Sequence, residues 1–130
     1  VNPAVQRILL KVKGVEGIIL VTDAMKACLL EDGEYELGGQ RVVVKNEEAR
    51  LPAGNLAGSV LTLDKALRNF TANTGIGLID AIKTVTENPA RVLKANDRKG
   101  SIDIGKDADF ALFDDSFNIY ATFVKGKKVY

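Results

Sequence analysis

The stretch Ile18-Ile19-Leu20-Val21-Thr22-Asp23-Ala24 places an acidic residue shortly after four consecutive apolar ones. A short continuous apolar run is typical of a strand that is buried on both faces, as in a parallel sheet. Upstream, Asn2-Pro3 is a favourable helix start, and apolar residues then recur at helical spacing as far as Val12. A helix followed by a buried strand predicts an α/β fold.

Further elements are predicted on the C-terminal side of this unit. Gly38-Gly39 separates two strand candidates and indicates a hairpin, within a β excursion over residues 31–51. Thr62 is the expected N-cap of a helix that stops before Gly75, and Asn88-Pro89 is the expected start of a later short helix. Strands are predicted at Phe110 to Phe113, Tyr120 to Val124 and Lys128 to Tyr130.

Composition excludes several classes of function. The 130 residues carry 18 basic and 17 acidic side chains, a net charge of +1, so neither nucleic acid nor an anionic membrane is an expected partner. No apolar run approaches the roughly 20 residues of a membrane span. The single cysteine, Cys28, cannot form an internal disulfide and fits a cytoplasmic setting. Histidine is absent, so a zinc site in this chain alone would need an unusual ligand set.

Two motifs are candidates for chemistry. Asp23 follows the predicted buried strand at its C-terminal end, where catalytic residues of α/β barrels are found. The alternative is that Asp23 caps the next segment or pairs with a lysine. Leu56-Ala57-Gly58-Ser59 is a glycine-containing loop that enters a helix and could offer backbone N–H groups to a ligand. An ordinary helix entrance explains that loop equally simply.

Two further motifs have simpler structural explanations. Asn88-Pro89-Ala90-Arg91 is interpreted as a helix cap. Gly105-Lys106-Asp107-Ala108-Asp109 contains an acidic pair, but a turn with side chain-to-backbone hydrogen bonds is favoured over a metal site.

Together these motifs, in this order, resemble the C-terminal portion of the amidohydrolase superfamily. Lys99-Gly100-Ser101-Ile102 with the Gly105 to Asp109 motif resembles its closing β-domain, and Asn88-Pro89-Ala90-Arg91 is widespread in it. Val21-Thr22-Asp23-Ala24, combined with Leu56-Ala57-Gly58-Ser59 and Leu61-Thr62-Leu63-Asp64, is more discriminating and resembles the N-acetylglucosamine-6-phosphate deacetylases. The resemblance covers essentially the whole chain.

The resemblance implies an α/β fold that is incomplete as it stands. The chain would supply the last helix-strand-helix units of a (β/α)8 TIM barrel and strands of a small β-sandwich domain. Ile18 to Thr22 would be the eighth barrel strand. Residues 1–97, with the hairpin excursion 31–51, would be the C-terminal part of the barrel, and residues 98–130 the strands of the small domain.

The resemblance also implies an activity, the deacetylation of N-acetylglucosamine 6-phosphate to glucosamine 6-phosphate and acetate. Asp23 would be the general base and general acid, and Leu56, Ala57 and Gly58 would contact the substrate. A divalent metal, zinc or similar, would be held in the full-length enzyme by a Glu and two His from earlier strands. None of those ligands is expected in this chain, which alone is expected to be inactive.

The expected partner is a small amino-sugar phosphate, and the full-length enzyme is expected to form a homodimer. Two alternatives stay open. One is another amidohydrolase, dihydroorotase-like or deaminase-like. The other is a non-catalytic interaction module, because the metal ligands are missing from the chain.

Overall fold

The computed structural model describes the whole chain, Val1–Tyr130. The chain forms two compact units, one made of Val1–Leu20 and Asp64–Tyr130 and the other of Val21–Leu63. The first unit combines helices with a small sheet, and the second is built on an antiparallel sheet. The predicted mixture of α and β structure is therefore confirmed, while the division between residues 97 and 98 stays a prediction.

The unit Val21–Leu63 contains a four-stranded antiparallel sheet in the order β1-β2-β3-β4. Its strands are β1 (Gly33–Leu37), β2 (Gln40–Lys45), β3 (Glu48–Arg50) and β4 (Leu56–Gly58). The predicted hairpin is confirmed, because Leu37 pairs with Gln40 across Gly38-Gly39. Both glycines have positive φ angles, 59° and 80°, which a tight hairpin turn needs and which glycine adopts without steric cost. The unit's core consists of Met25, Ala27, Val42, Val44 and Ala49.

Four helices belong mainly to the other unit: α1 (Pro3–Lys13), α2 (Leu63–Thr74), α3 (Leu78–Lys83) and α4 (Glu87–Val92). The predicted ends of α1 are confirmed, since Asn2 Oδ1 accepts a hydrogen bond from the Ala4 N–H at 2.8 Å and the Gly14 N–H donates to the Leu10 carbonyl. The core of this unit contains Leu67, Phe70 and Ala81. None of the helices has both the length and the apolar content that crossing a bilayer requires.

Two predicted helix caps are wrong. Thr62 precedes α2, but its hydroxyl oxygen is buried and has no hydrogen-bond partner, so it caps nothing. Asn88 lies inside α4, one residue after its start at Glu87, and is 1% exposed. Its side chain donates to the carbonyls of Val15 and Ile18 instead, at 2.8 and 2.7 Å. The Asn88 side chain therefore bonds to carbonyls that are distant in the sequence, and it does not cap the helix as the local pattern predicts.

The predicted buried strand from Ile18 to Val21 is also wrong. The run forms no ladder with any strand of the chain, and Ile19 and Val21 are 37% and 69% exposed. A parallel strand needs neighbours that complete its hydrogen bonds, and this chain supplies none. The apolar stripe of α1 is exposed as well, from Val5 to Val12.

The C-terminal region contains a three-stranded antiparallel sheet in the order β5-β6-β7. Its strands are β5 (Phe110–Phe113), β6 (Ile119–Val124) and β7 (Lys127–Lys128). The first two predicted strands are confirmed. The third begins one residue earlier than predicted and is only two residues long, after a turn at Lys125-Gly126.

Candidate active site

Asp23 lies on an irregular segment that is anchored by the residues following it. Ala24 forms a parallel bridge with Ser59, and the Met25 N–H donates to the Ser59 carbonyl at 2.8 Å. Asp23 itself is exposed and has a φ of 48°, in the left-handed region that non-glycine residues rarely occupy. Its carboxylate is therefore open to solvent on a backbone that its neighbours fix.

The segment Leu56-Ala57-Gly58 lies beside this position. The sequence predicts a loop here, and this prediction is wrong, because the segment forms the edge strand β4, which pairs with β3. Because Ser59 follows β4 directly and bridges to Ala24, the end of β4 runs alongside the segment that carries Asp23. The structure therefore brings together the two motifs that the sequence singled out separately.

The three residues of β4 differ in their surroundings. Leu56 is 68% exposed, so its side chain is available to a ligand. Ala57 packs against the buried cluster of Met25 and Val42. Gly58 has little room for a side chain, because a Cβ there would lie 3.1 Å from Met25 Sδ and 3.1 Å from Leu37 Cδ2. Met25 thus belongs to the surroundings of the site. No sequence motif indicated this, since its partner lies more than thirty positions away.

The residues present do not fit the metal that the resemblance implies. No group of three His, Cys, Asp or Glu side chains in the chain converges on a point where they could hold an ion. No other carboxylate is hydrogen-bonded to Asp23 in the structure. The residues of this chain therefore supply no metal-dependent step by themselves.

The acidic motif near the C-terminus is engaged in structural contacts. Asp109 accepts a hydrogen bond from the Lys125 N–H at 2.7 Å and pairs with the Lys99 side chain. The Lys99 side chain and the Lys125 N–H together hold the pKa of Asp109 below its ordinary range. Asp107 pairs with Arg98 and Lys99, each at 3.0 Å. The prediction of a hydrogen-bonded turn is confirmed.

Asn88-Pro89-Ala90-Arg91 contributes to the scaffold. Arg91 donates to the Asn88 side-chain oxygen at 2.6 Å and pairs with Glu16 at 3.0 Å. Together with the two hydrogen bonds donated by the Asn88 amide, this attaches α4 to the backbone of Val15 and Ile18.

Comparison with known proteins gives consistent results. The sequence profile described as "Amidohydrolase family" matches residues 4–129. An N-acetylglucosamine-6-phosphate deacetylase of Caenorhabditis elegans is 40% identical over 115 residues, which are 88% of this chain and 28% of that protein. The solved structure of the enzyme of that name from Thermotoga maritima has a TM-score of 0.91 and 35% identity, covering 100% of this chain and 36% of that one.

A third comparison includes a ligand. A variant of the N-acetyl-D-glucosamine-6-phosphate deacetylase from Mycobacterium smegmatis, solved in complex with N-acetyl-D-glucosamine-6-phosphate, has a TM-score of 0.91 and 30% identity over 99% of this chain and 35% of that one. The chain spans about a third of the length of the relatives it matches. With a family profile that matches nearly every residue and backbones that superpose over the whole chain, this protein belongs to the amidohydrolase family.

Proposed function

We propose that this chain is the C-terminal portion of an N-acetylglucosamine-6-phosphate deacetylase. The observation that carries the proposal is the agreement of the whole chain with three deacetylases in sequence or backbone, at 30 to 40% identity. One of them was solved with N-acetyl-D-glucosamine-6-phosphate. Agreement at both ends of the chain supports a shared fold, and the Asp23 and β4 motifs support a shared substrate.

The exposed apolar surfaces support a larger fold around this chain. The α1 side chains Val5, Ile8, Leu9 and Val12 are 45 to 72% exposed, which is costly for a helix with one apolar stripe. The run from Ile18 to Val21 lacks strand partners. Both features are expected if α1 and this run belong to a (β/α)8 barrel whose other strands lie elsewhere in the full-length enzyme. Residues 98–130 would then contribute to a separate small β-domain.

Asp23 would transfer the proton that amide hydrolysis requires. Its carboxylate accepts a proton from the attacking water as the water oxygen bonds to the acetamide carbonyl carbon. The C–N bond then breaks, and Asp23 returns the proton to the departing amine nitrogen. One carboxylate can perform both steps, because the first leaves it protonated. The products are acetate and glucosamine 6-phosphate.

Substrate contacts would come from the exposed end of β4, at Leu56, Ala57 and Gly58. Amidohydrolases generally depend on a divalent metal. Its ligands would lie in other segments of the full-length enzyme, so this chain alone would be inactive. We further propose that the full-length enzyme is a cytoplasmic homodimer.

A substrate panel tests the proposal. Acetate or ring-opened product is measured after incubating the full-length enzyme with N-acetylglucosamine 6-phosphate, unphosphorylated N-acetylglucosamine and dihydroorotate. The expected result is acetate release that is fastest from the phosphorylated sugar. Hydrolysis of dihydroorotate alone would indicate a different amidohydrolase. Inactivity on every amide, with metal present, would favour a non-catalytic module.

A further inference from the structure

We infer that Gly58 is a positioning residue for Asp23, acting through Met25. The missing side chain at position 58 leaves the space in which Met25 packs, and Met25 fixes the backbone that carries the Asp23 carboxylate. This inference rests on the proposed role of Asp23, and it adds a positioning role to the substrate contact proposed for the Gly58 backbone.

Gly58 lies against the side chain of Met25. A Cβ at position 58 would lie 3.1 Å from Met25 Sδ, which is closer than a favourable contact of about 3.5–4.0 Å. Its distance of 3.6 Å from Met25 Cγ is an ordinary contact, so the crowding is at the sulfur. The same Cβ would meet Leu37 Cδ2, but Leu37 is 39% exposed and can turn towards solvent. Met25 is 7% exposed and enclosed by the core of its unit, so the strain falls on Met25.

Met25 is connected to Asp23 by a short backbone segment. Only Ala24 separates the two residues, and both Ala24 and the Met25 N–H are tied to Ser59. Asp23 has a positive φ, a conformation that persists only where the surroundings hold it. A displacement of Met25 is therefore transmitted along a short, tethered backbone to the carboxylate.

The two possible roles of Gly58 predict different kinetics. A residue that contacts substrate in the ground state affects KM when it is changed. A residue that positions the proton-transferring group affects kcat, because misplacement by about 1 Å can reduce turnover about a hundredfold. The split between kcat and KM therefore separates positioning from contact.

The experiment uses the full-length enzyme with Gly58→Ala, Met25→Ala and the double variant. Gly77→Ala is the matched control, since Gly77 has a φ of −63° and a Cβ there would meet nothing within 4 Å. We expect Gly58→Ala to lower kcat about tenfold or more, with KM within about twofold of the unmodified enzyme. Gly77→Ala should leave both unchanged. The two effects on kcat should be non-additive in the double variant, because Met25 no longer fills the space that the new methyl group enters.

Three results would overturn the inference: a raised KM with unchanged kcat, additive effects in the double variant, or an Asp23 carboxylate that does not move in the crystal structure of Gly58→Ala. If Gly58→Ala does not fold, Met25→Ala alone decides, and an unchanged kcat rejects the inference. Asp23→Asn tests the catalytic role of Asp23 separately from the positioning role of Gly58. Retained turnover in that variant contradicts the role of Asp23, and the position of Asp23 in the Gly58→Ala crystal then decides whether Gly58 fixes it.

Discussion

Substituting Asn88 by aspartate should destabilise the protein more than any comparable change at its surface. The Asn88 side chain is 1% exposed, and its amide group donates to the carbonyls of Val15 and Ile18 at 2.8 and 2.7 Å. Asn88→Asp replaces the donor with an acceptor of nearly the same size. The substitution removes both hydrogen bonds and brings a carboxylate oxygen against two carbonyl oxygens, in a site with little solvent.

The size of the effect follows from these contacts. The Ile18 carbonyl loses its donor, which costs about 1–3 kcal/mol. The Val15 carbonyl loses one hydrogen bond, worth about 0.5–1.5 kcal/mol, and keeps the one that it accepts from the Ile18 N–H. Arg91, which donates to the Asn88 oxygen, still finds an acceptor after the substitution and offsets part of the loss. We expect a net destabilisation of about 2–4 kcal/mol, against a total stability of about 5–15 kcal/mol for a typical domain.

Urea unfolding followed by circular dichroism measures this difference. Asn96→Asp is the matched control, because it makes the same chemical change at an exposed position. The free energy of unfolding of Asn96→Asp should stay within about 0.5 kcal/mol of the unmodified protein. If the free energy of unfolding of Asn88→Asp lies within about 1 kcal/mol of that of Asn96→Asp, the hydrogen bonds from Asn88 to Val15 and Ile18 do not stabilise the protein as predicted.

Two further predictions concern Asp114, which lies between β5 and β6, and Gly100, which lies against Ala90 of α4. The Asp114 carboxylate accepts hydrogen bonds from the backbone N–H groups of Ser116 and Asn118 and from the side chains of Asn118 and Tyr120. These bonds lower the pKa of Asp114, and the bond from the Asn118 side chain has the largest effect. This stabilisation is present above the ordinary pKa of 3.8 and is lost as pH falls through the lowered pKa of Asp114. Asp114→Asn should therefore flatten the decline of the unfolding midpoint below about pH 4, and an unchanged decline would contradict the prediction. Gly100 and Gly105 have nearly equal φ angles of 93° and 91°, but only at Gly100 would a Cβ collide, 2.8 Å from Ala90 Cβ. Gly100→Ala should therefore lower the free energy of unfolding by about 1–3 kcal/mol more than Gly105→Ala, and equal losses would show that packing at Gly100 does not matter.

Local sequence signals predicted the elements that local physics determines. The start of α1 at Asn2-Pro3 and the hairpin at Gly38-Gly39 were predicted correctly, because a cap and a tight turn depend on neighbouring residues. The strands predicted at Phe110 to Phe113 and Tyr120 to Val124 followed from apolar and β-branched residues, and the second begins one residue earlier in the structure.

The predictions for Asn88 and for the run from Ile18 to Val21 are wrong because both depend on contacts that are distant in the sequence. Asn88 satisfies carbonyls some seventy positions away, and no cap signal can reveal such a partner. The run from Ile18 to Val21 has the composition of a buried strand, but strand formation also needs adjacent strands, which this chain lacks. In the candidate site the sequence singled out Asp23 and the residues of β4, but their bridge through Ser59 and the packing of Met25 are long-range contacts.

The most direct test of the account is the turnover of the full-length enzyme with Asp23→Asn. An amide at this position can still accept a hydrogen bond but cannot take up and return a proton. General acid–base catalysis contributes about 100- to 10,000-fold to rates, so we predict that kcat for acetate release from N-acetylglucosamine 6-phosphate falls by at least about 100-fold. The unfolding midpoint should be unchanged, and Asp97→Asn, at an exposed acidic residue, should retain full activity. A kcat for Asp23→Asn within about tenfold of the unmodified enzyme would contradict the central role given to Asp23.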